Sequence, residues 1–187
     1  ENCDTDAMSN TQKAHIAHAQ KRDLALISLL LGTGMRVSEC VGIDIDDIDF
    51  RNSSVKVTRK GGNESTLYFN DEVEESLLDY ITQREHQKNK SEQEKALFLS
   101  NRGTRITIRA VQNIVKKYAR IISPSKKISP HKLRSTYATS LYRETGDIYL
   151  VADALGHADI NTTKKHYAAM EESRRRSASQ YVKLRKN

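Results

Sequence analysis

Apolar positions recur along this chain with helical period, interrupted once by alternation. Glu1 to Gln20 is polar and shows no clear period before Ala14, which predicts a loose or partly helical lead-in. Leu24, Ile27, Leu30 and Leu31 predict a helix over Lys21 to Leu31 and form its inward stripe. Gly32-Thr33-Gly34 breaks that helix, and Arg36-Val37-Ser38-Glu39 opens a second one. Ile43 to Phe50 alternates Ile with Asp, the pattern of a turn leading into a half-buried strand. Ser54 to Thr58 and Ser65 to Phe69 are β-rich runs around Arg59-Lys60-Gly61-Gly62-Asn63, a hairpin with a glycine-rich tip.

Helical periods then return. Asn70 or Asp71 caps a helix to about Gln87, with Val73, Leu77, Leu78 and Ile81 inside. Lys88 to Lys95 reads as a polar linker, and Leu97 to Leu99 as a short apolar run before a turn at Asn101-Arg102-Gly103. Ile108 to Arg120 is amphipathic, with Val111, Ile114, Val115 and Tyr118 inward. Ser129 caps a helix whose first position is Pro130, with Leu133, Tyr137 and Leu141 inward. Gly146 ends it, Asp147 caps a helix over Ile148 to Leu155, and Asn161 or Thr162 starts the helix bearing Tyr167. The fold class is mostly α with a small antiparallel β-sheet (α+β).

Composition narrows the partners. The net charge is +7, and its distribution says more than the total. Lys95 to Arg143 contains no Asp or Glu, whereas Glu39 to Glu94 is acid-rich, with clusters at Asp44 to Asp49 and Asp71 to Asp79. Such segregation predicts one basic face suited to a polyanion, and favours nucleic acid over a merely solvated surface. Arg59, Arg102, Arg105, Arg109, Lys116, Lys117 and Lys132 are the candidate DNA contacts, the 108–120 helix lying along phosphates. Cys3 and Cys40 are too few and too far apart for a metal or disulfide framework, so both are expected as reduced thiols, Cys40 as packing. No apolar run reaches membrane-spanning length, and no secretory signal opens the chain; a cytoplasmic, nucleoid-associated bacterial protein is expected. A start at Glu1 rather than Met predicts a fragment with an upstream domain missing. Residues 1–20 are then a lead-in, 21–170 a catalytic domain, and 171–187 a basic tail with scattered Tyr181, Val182 and Leu184.

Chemistry concentrates at the carboxyl end. His131 and Arg134 are three apart, hence neighbours at the N-terminal end of their helix, where the dipole and unpaired N–H groups favour an anion. His157 follows a Gly-marked helix stop and Tyr167 follows in turn. Two imidazoles, a guanidinium and a phenol suit phosphoryl transfer to tyrosine. Arg36, just beyond the Gly-x-Gly turn, sits on a rigid element; the plain alternative is a surface ion pair with Glu39. Lys60 on the hairpin tip can reach a bound ligand. Gly32-Thr33-Gly34 lacks a preceding strand and a third glycine, so it does not mark a dinucleotide site. His15 and His18 at i,i+3 are expected as exposed residues rather than metal ligands.

In this order and spacing, GTGMRVSE (Arg36), RKGGNES (Lys60), HKLR (His131, Arg134), LGHADINTT (His157) and Tyr167 resemble the catalytic domain of the tyrosine recombinases. These are the phage and transposon integrases and the Xer-type recombinases, and the resemblance runs from about Arg22 to Tyr167. It implies that fold and site-specific DNA recombination through a 3′-phosphotyrosyl link, with Tyr167 as nucleophile and Arg36, Lys60, His131, Arg134 and His157 as the other catalytic residues. Tyr137 and Tyr142 are rivals that periodicity and the absence of a motif exclude. Neither metal nor other cofactor is implied. The partner is double-stranded DNA, bound by a tetramer whose tails dock on neighbouring protomers, with accessory directionality or DNA-bending proteins beside it. Tyr167 lies ten positions after His157 where many members show nine, which favours the integrase of a mobile element. The alternatives are an Xer-type chromosome-dimer resolvase, a catalytically inactive DNA-binding relic, and a type IB topoisomerase with the same chemistry.

Overall fold

The computed structural model describes residues 10–85, 94–157, 161, 163–164 and 167. They divide into two compact units, Glu1–Thr139 and Ser140–Asn187. In the first, helix α1 (Asn10–Thr33) leads to the short α2 (Val37–Gly42), a 3₁₀ turn (Ile45–Asp47), and strands β1 (Ile48–Asp49), β2 (Ser54–Thr58) and β3 (Glu64–Tyr68). Helices α3 (Asp71–Glu85), α4 (Ile108–Ile122) and α5 (Pro130–Thr145) follow, the boundary between units falling within α5, and α6 (Ile148–Ala154) comes last. The expected mixture of helices and a small antiparallel sheet is what the chain forms. Helix extends through the lead-in as far as Asn10; residues 1–9, the tail and the side chains of His15 and His18 lie outside the described residues.

Helix α1 buries a different stripe from the one its leucines suggest. Ala25, Leu26, Leu29 and Leu30 are inside, while Leu24 and Leu31 are exposed. The face is rotated because Arg22 and Asp23 are taken into the core together. Arg22 pairs with Asp23 at 2.8 Å and donates to the Leu99 carbonyl at 3.0 Å and to Asn101 Oδ1 at 2.9 Å. Buried charges are tolerated when paired and hydrogen-bonded in this way.

Gly34 ends α1 in the left-handed region, φ 64°, its N–H donating to the Leu30 carbonyl at 3.1 Å. A Cβ there would stand 2.2 Å from Cδ1 of Tyr137 on α5. Gly34→Ala is therefore expected to destabilise by about 2 kcal/mol or more, combining a left-handed penalty with overpacking. Urea unfolding checks this, and Tyr137→Ala in the same chain should recover the steric part.

The sheet has the order β1-β2-β3, all antiparallel, with Val55 opposite Leu67 and Thr58 opposite Glu64. Val55, Val57 and Leu67 face the core while Lys56, Thr58, Thr66 and Tyr68 face out, the alternation of a sheet wetted on one side. Its loop is closed by Arg59 N–H to the Asn63 carbonyl at 2.7 Å and Gly62 N–H to the Arg59 carbonyl at 3.0 Å. Gly61 and Gly62 take φ of 97° and 86°, which side chains rarely permit.

Asn70 Oδ1 accepts from Val73 N–H at 3.2 Å and caps α3. Val73, Leu77 and Ile81 are buried as expected; Leu78 is exposed, and Tyr80 fills the core instead, stacked 5.6 Å from Phe98. Ala96 to Leu99 is wholly buried, bonding along Ile43 on one side and Ile106 on the other. Helix α4 presents Val111, Ile114, Val115 and Ala119 to the core. Cys40 is buried and its thiol pushed up to about 12 by desolvation, so it stays neutral and acts as packing.

Helix α5 also departs from its expected stripe. Its buried positions are Pro130, Arg134, Ala138 and Tyr142, with Leu133, Tyr137 and Leu141 half-buried beside them. The inward face is one residue further along because an arginine occupies it. In the second unit, Asp147 Oδ1 caps α6 at Tyr149 and Leu150, and Ile148, Val151, Ala152 and Leu155 are buried with Tyr142 and Tyr167.

Candidate active site

Three guanidiniums meet near one carboxylate in the first unit. Glu39, in the first turn of α2, has a side chain only 2% exposed. Its Oε2 accepts from the Arg36 backbone N–H at 2.7 Å, and its Oε1 from Arg36 Nη1 at 2.9 Å. Arg59 Nη1, from the root of the β2–β3 hairpin, lies 3.7 Å from the same Oε1. The surface pairing of Arg36 with Glu39 thus exists, but its carboxylate is buried and shared. Arg134 reaches the group from α5, donating through Nη1 to the Gly34 carbonyl at 2.7 Å. Burial lowers Arg134 to about 10, Arg36 and Arg59 adding repulsion that Glu39 opposes. At neutral pH it remains a cation, in a place where an arriving anion would be stabilised.

Arg36, Arg59 and Arg134 are thereby brought together from three separate stretches of chain. Lys60 is exposed on the hairpin tip, next to Arg59. His131 is exposed in the first turn of α5, one turn before Arg134. The second unit holds His157 and Tyr167. His157 N–H donates to the Ala152 carbonyl at 2.9 Å, and its Nδ1 shares a 2.8 Å hydrogen bond with Oγ1 of buried Thr163, which fixes the ring. Tyr167 is 8% exposed, its ring centroid 5.0 Å from that of Tyr142 at a tilt of 45°.

Sequence reasoning missed the part played by Glu39 and the inward turn of Arg59. The i,i+3 spacing of Arg36 and Glu39 was a legible signal for the first; nothing local announces the second. Among the candidate DNA contacts, Arg102, Arg109, Lys116, Lys117 and Lys132 are exposed. Arg105, partly exposed, donates to the Val41 and Ile43 carbonyls at 3.0 and 3.2 Å and pairs with Asp44, joining loops. Lys117 reaches Asp23 at 3.5 Å and lies over the Tyr118 ring. Among the described residues no group of His, Cys, Asp and Glu is placed to hold a metal ion, and no helix is long and apolar enough to cross a membrane.

Comparison with known proteins places the chain in a family. The profile of the phage integrase family matches residues 5–174. The chain is 38% identical over 147 residues to tyrosine recombinase XerC of Thermodesulfovibrio yellowstonii, covering 77% of this chain and 49% of that protein. The chain spans about half the length of the curated relatives it matches. The crystal structure of XerA recombinase superposes with a TM-score of 0.76 at 28% identity, over 95% of this chain and 65% of that one. XerH site-specific recombinase, in a post-cleavage complex with palindromic difH substrate, gives 0.74 at 25% identity, over 88% and 47%. With its helices and three-stranded sheet laid out as above, this chain belongs to the phage integrase family.

Proposed function

We propose that this chain is the catalytic part of a tyrosine recombinase that cuts and rejoins double-stranded DNA through Tyr167. The observation that carries this reading is that Arg36 and Arg134 are brought from separate stretches of chain to the neighbourhood of a single buried carboxylate, Glu39. A site with such an excess of guanidinium charge is built for an anion, and a phosphodiester has the planar pairs of oxygens that guanidiniums grip. Binding alone would need only basic residues; the phenol and two imidazoles fit a reaction.

In the proposed reaction the Tyr167 oxygen attacks phosphorus. A Tyr167–phosphate bond forms, the bond to the 5′-oxygen breaks, and a 3′-phosphotyrosyl link remains. A phenol with an ordinary pKa of about 10 is a weak nucleophile at neutral pH, so His131 helps to take its proton. Arg36 and Arg134 stabilise the charge that builds on the non-bridging oxygens. Lys60 gives a proton to the departing 5′-oxygen, and His157, steadied by Thr163, hydrogen-bonds the phosphate. One phosphoester replaces another, so a second 5′-hydroxyl reverses the step without ATP.

DNA binding is supported by the acid-free stretch from Lys95 to Arg143 and by an open cavity of about 570 Å³ whose lining includes Lys116, Arg120, Lys126 and Lys127 beside the uncharged Ala119, Pro124, Ile128 and Ser129. XerH, similar over most of this chain, is seen bound to its difH substrate. Affinity for duplex DNA is expected to fall by about 10³ between about 50 and 200 mM salt, as for a protein neutralising several phosphates. A flat salt response in a filter-binding titration would contradict this. Strand exchange joins two sites, so four copies act together, with residues 171–187 docking between them and accessory directionality or DNA-bending proteins assisting. The ten-residue step from His157 to Tyr167 favours integration of a mobile element over chromosome-dimer resolution. Incubation with nicked suicide duplexes tests the function: a covalent adduct supports it, and binding without any adduct favours a DNA-binding relic. Supercoil relaxation by a monomer would point instead to a topoisomerase.

A further inference from the structure

We infer that Arg59 is a positioning residue, tying the loop that carries Lys60 to Arg36 through the shared carboxylate of Glu39. The inference rests on the function proposed above and deepens it. Arg59 belongs by sequence to the set of expected DNA contacts, but its side chain is only 10% exposed, whereas Lys60 beside it is exposed. Its backbone is the root of the loop: Arg59 N–H donates to the Asn63 carbonyl at 2.7 Å, and its own carbonyl accepts from Gly62 at 3.0 Å. Its side chain points back toward the sheet and α2, with Nη2 donating to Ser65 Oγ at 3.4 Å and Nη1 3.7 Å from Glu39 Oε1. That oxygen also takes Arg36 Nη1 at 2.9 Å.

One residue therefore connects the hairpin tip to the carboxylate that orients Arg36. The tip needs such a tie. Gly61 and Gly62 take φ of 97° and 86° and have no side chains with which to pack the tip against the sheet. A guanidinium suits the task because separate N–H groups reach Glu39 and Ser65 at once, which one ammonium does less well. In this arrangement Arg59 acts through Lys60, which supplies a proton to the leaving 5′-oxygen, and touches no reacting atom itself.

The leaving group gives the test. In a 5′-bridging phosphorothiolate, sulfur replaces the oxygen that departs, and a thiolate leaves without a proton. Single-turnover cleavage of nicked suicide duplexes of both kinds is measured at saturating protein for the parent chain, Arg59→Gln, Arg59→Lys, Lys60→Ala and Arg36→Ala. Losing a positioned general acid should slow cleavage of the oxygen substrate by about 10²-fold in Lys60→Ala and Arg59→Gln, less in Arg59→Lys. All three should cleave the phosphorothiolate nearly as fast as the parent, with DNA affinity unchanged, and Arg36→Ala should stay slow on both. Rescue by sulfur also shows that the variants are folded. Equal slowing of the Arg59 variants on both substrates, or parental rates on oxygen, would overturn the inference. So would weakened DNA binding at an unchanged saturated rate, the mark of a direct DNA contact. If the parent forms no adduct with either substrate, the proposed function itself fails.

Discussion

Tyr167→Phe is expected to leave no covalent protein–DNA adduct while duplex DNA binding stays at the parental level. The substitution deletes one oxygen and keeps the ring, so the packing that buries residue 167 and sets it 5.0 Å from the Tyr142 ring survives. Phosphate contacts, which supply most of the binding energy, come from other side chains. The loss is thus confined to the attacking atom, and cleavage stops instead of slowing. A denaturing gel of the suicide-substrate reaction reads the result directly. An ordinary yield of adduct from this variant would remove Tyr167 from the mechanism.

The second large effect concerns Arg134. Arg134→Ala is expected to lower the single-turnover cleavage rate by about 10²–10³, the usual consequence of losing one donor to a developing anionic charge. It should also cost about 1–3 kcal/mol of stability, because the Gly34 carbonyl loses the guanidinium that bonds it at 2.7 Å. Arg134→Lys keeps the charge but not the planar fork, and should recover little of the rate. Cleavage measured at saturating DNA beside urea unfolding separates the two effects. A parental rate in Arg134→Ala would show that the clamp is misassigned. A large rate loss with unchanged stability would mean that the bond to Gly34 matters only to the reaction.

Much of the architecture was legible, and the exceptions share a cause. The hairpin could be read from alternating Val55, Val57 and Leu67 on either side of a Gly-Gly tip, since period two and a glycine turn are local signals. The helix caps at Asn70 and Asp147 are local in the same way. The two misplaced stripes, on α1 and α5, each contain a buried arginine. Hydrophobic periodicity puts Arg22 and Arg134 outside, but each has partners far along the chain that make burial tolerable: Leu99 and Asn101 for Arg22, Gly34 for Arg134. Tertiary hydrogen bonds carry no periodic signature.

The candidate site shows the same division. Arg36, Lys60, His131, Arg134, His157 and Tyr167 could be picked out because their order resembles a family, and exposure would have chosen differently. Tyr149 and Tyr68 are 66% and 70% exposed, while the proposed nucleophile is almost covered. Glu39 and Arg59 were harder to read, since the ion pair between α2 and the hairpin joins residues twenty positions apart. Arg105 looked like one more cation in an acid-free stretch, yet its guanidinium is spent on the carbonyls of Val41 and Ile43. A charge run says where cations are plentiful; which of them are tied to carbonyls and carboxylates is decided by the groups that the fold brings near.

The most direct test is to trap the adduct on a nicked duplex, digest protein and DNA, and identify the modified peptide by mass spectrometry. The account predicts a nucleotide attached through its 3′-phosphate to Tyr167. Attachment to any other residue, or to the 5′-phosphate, would contradict it.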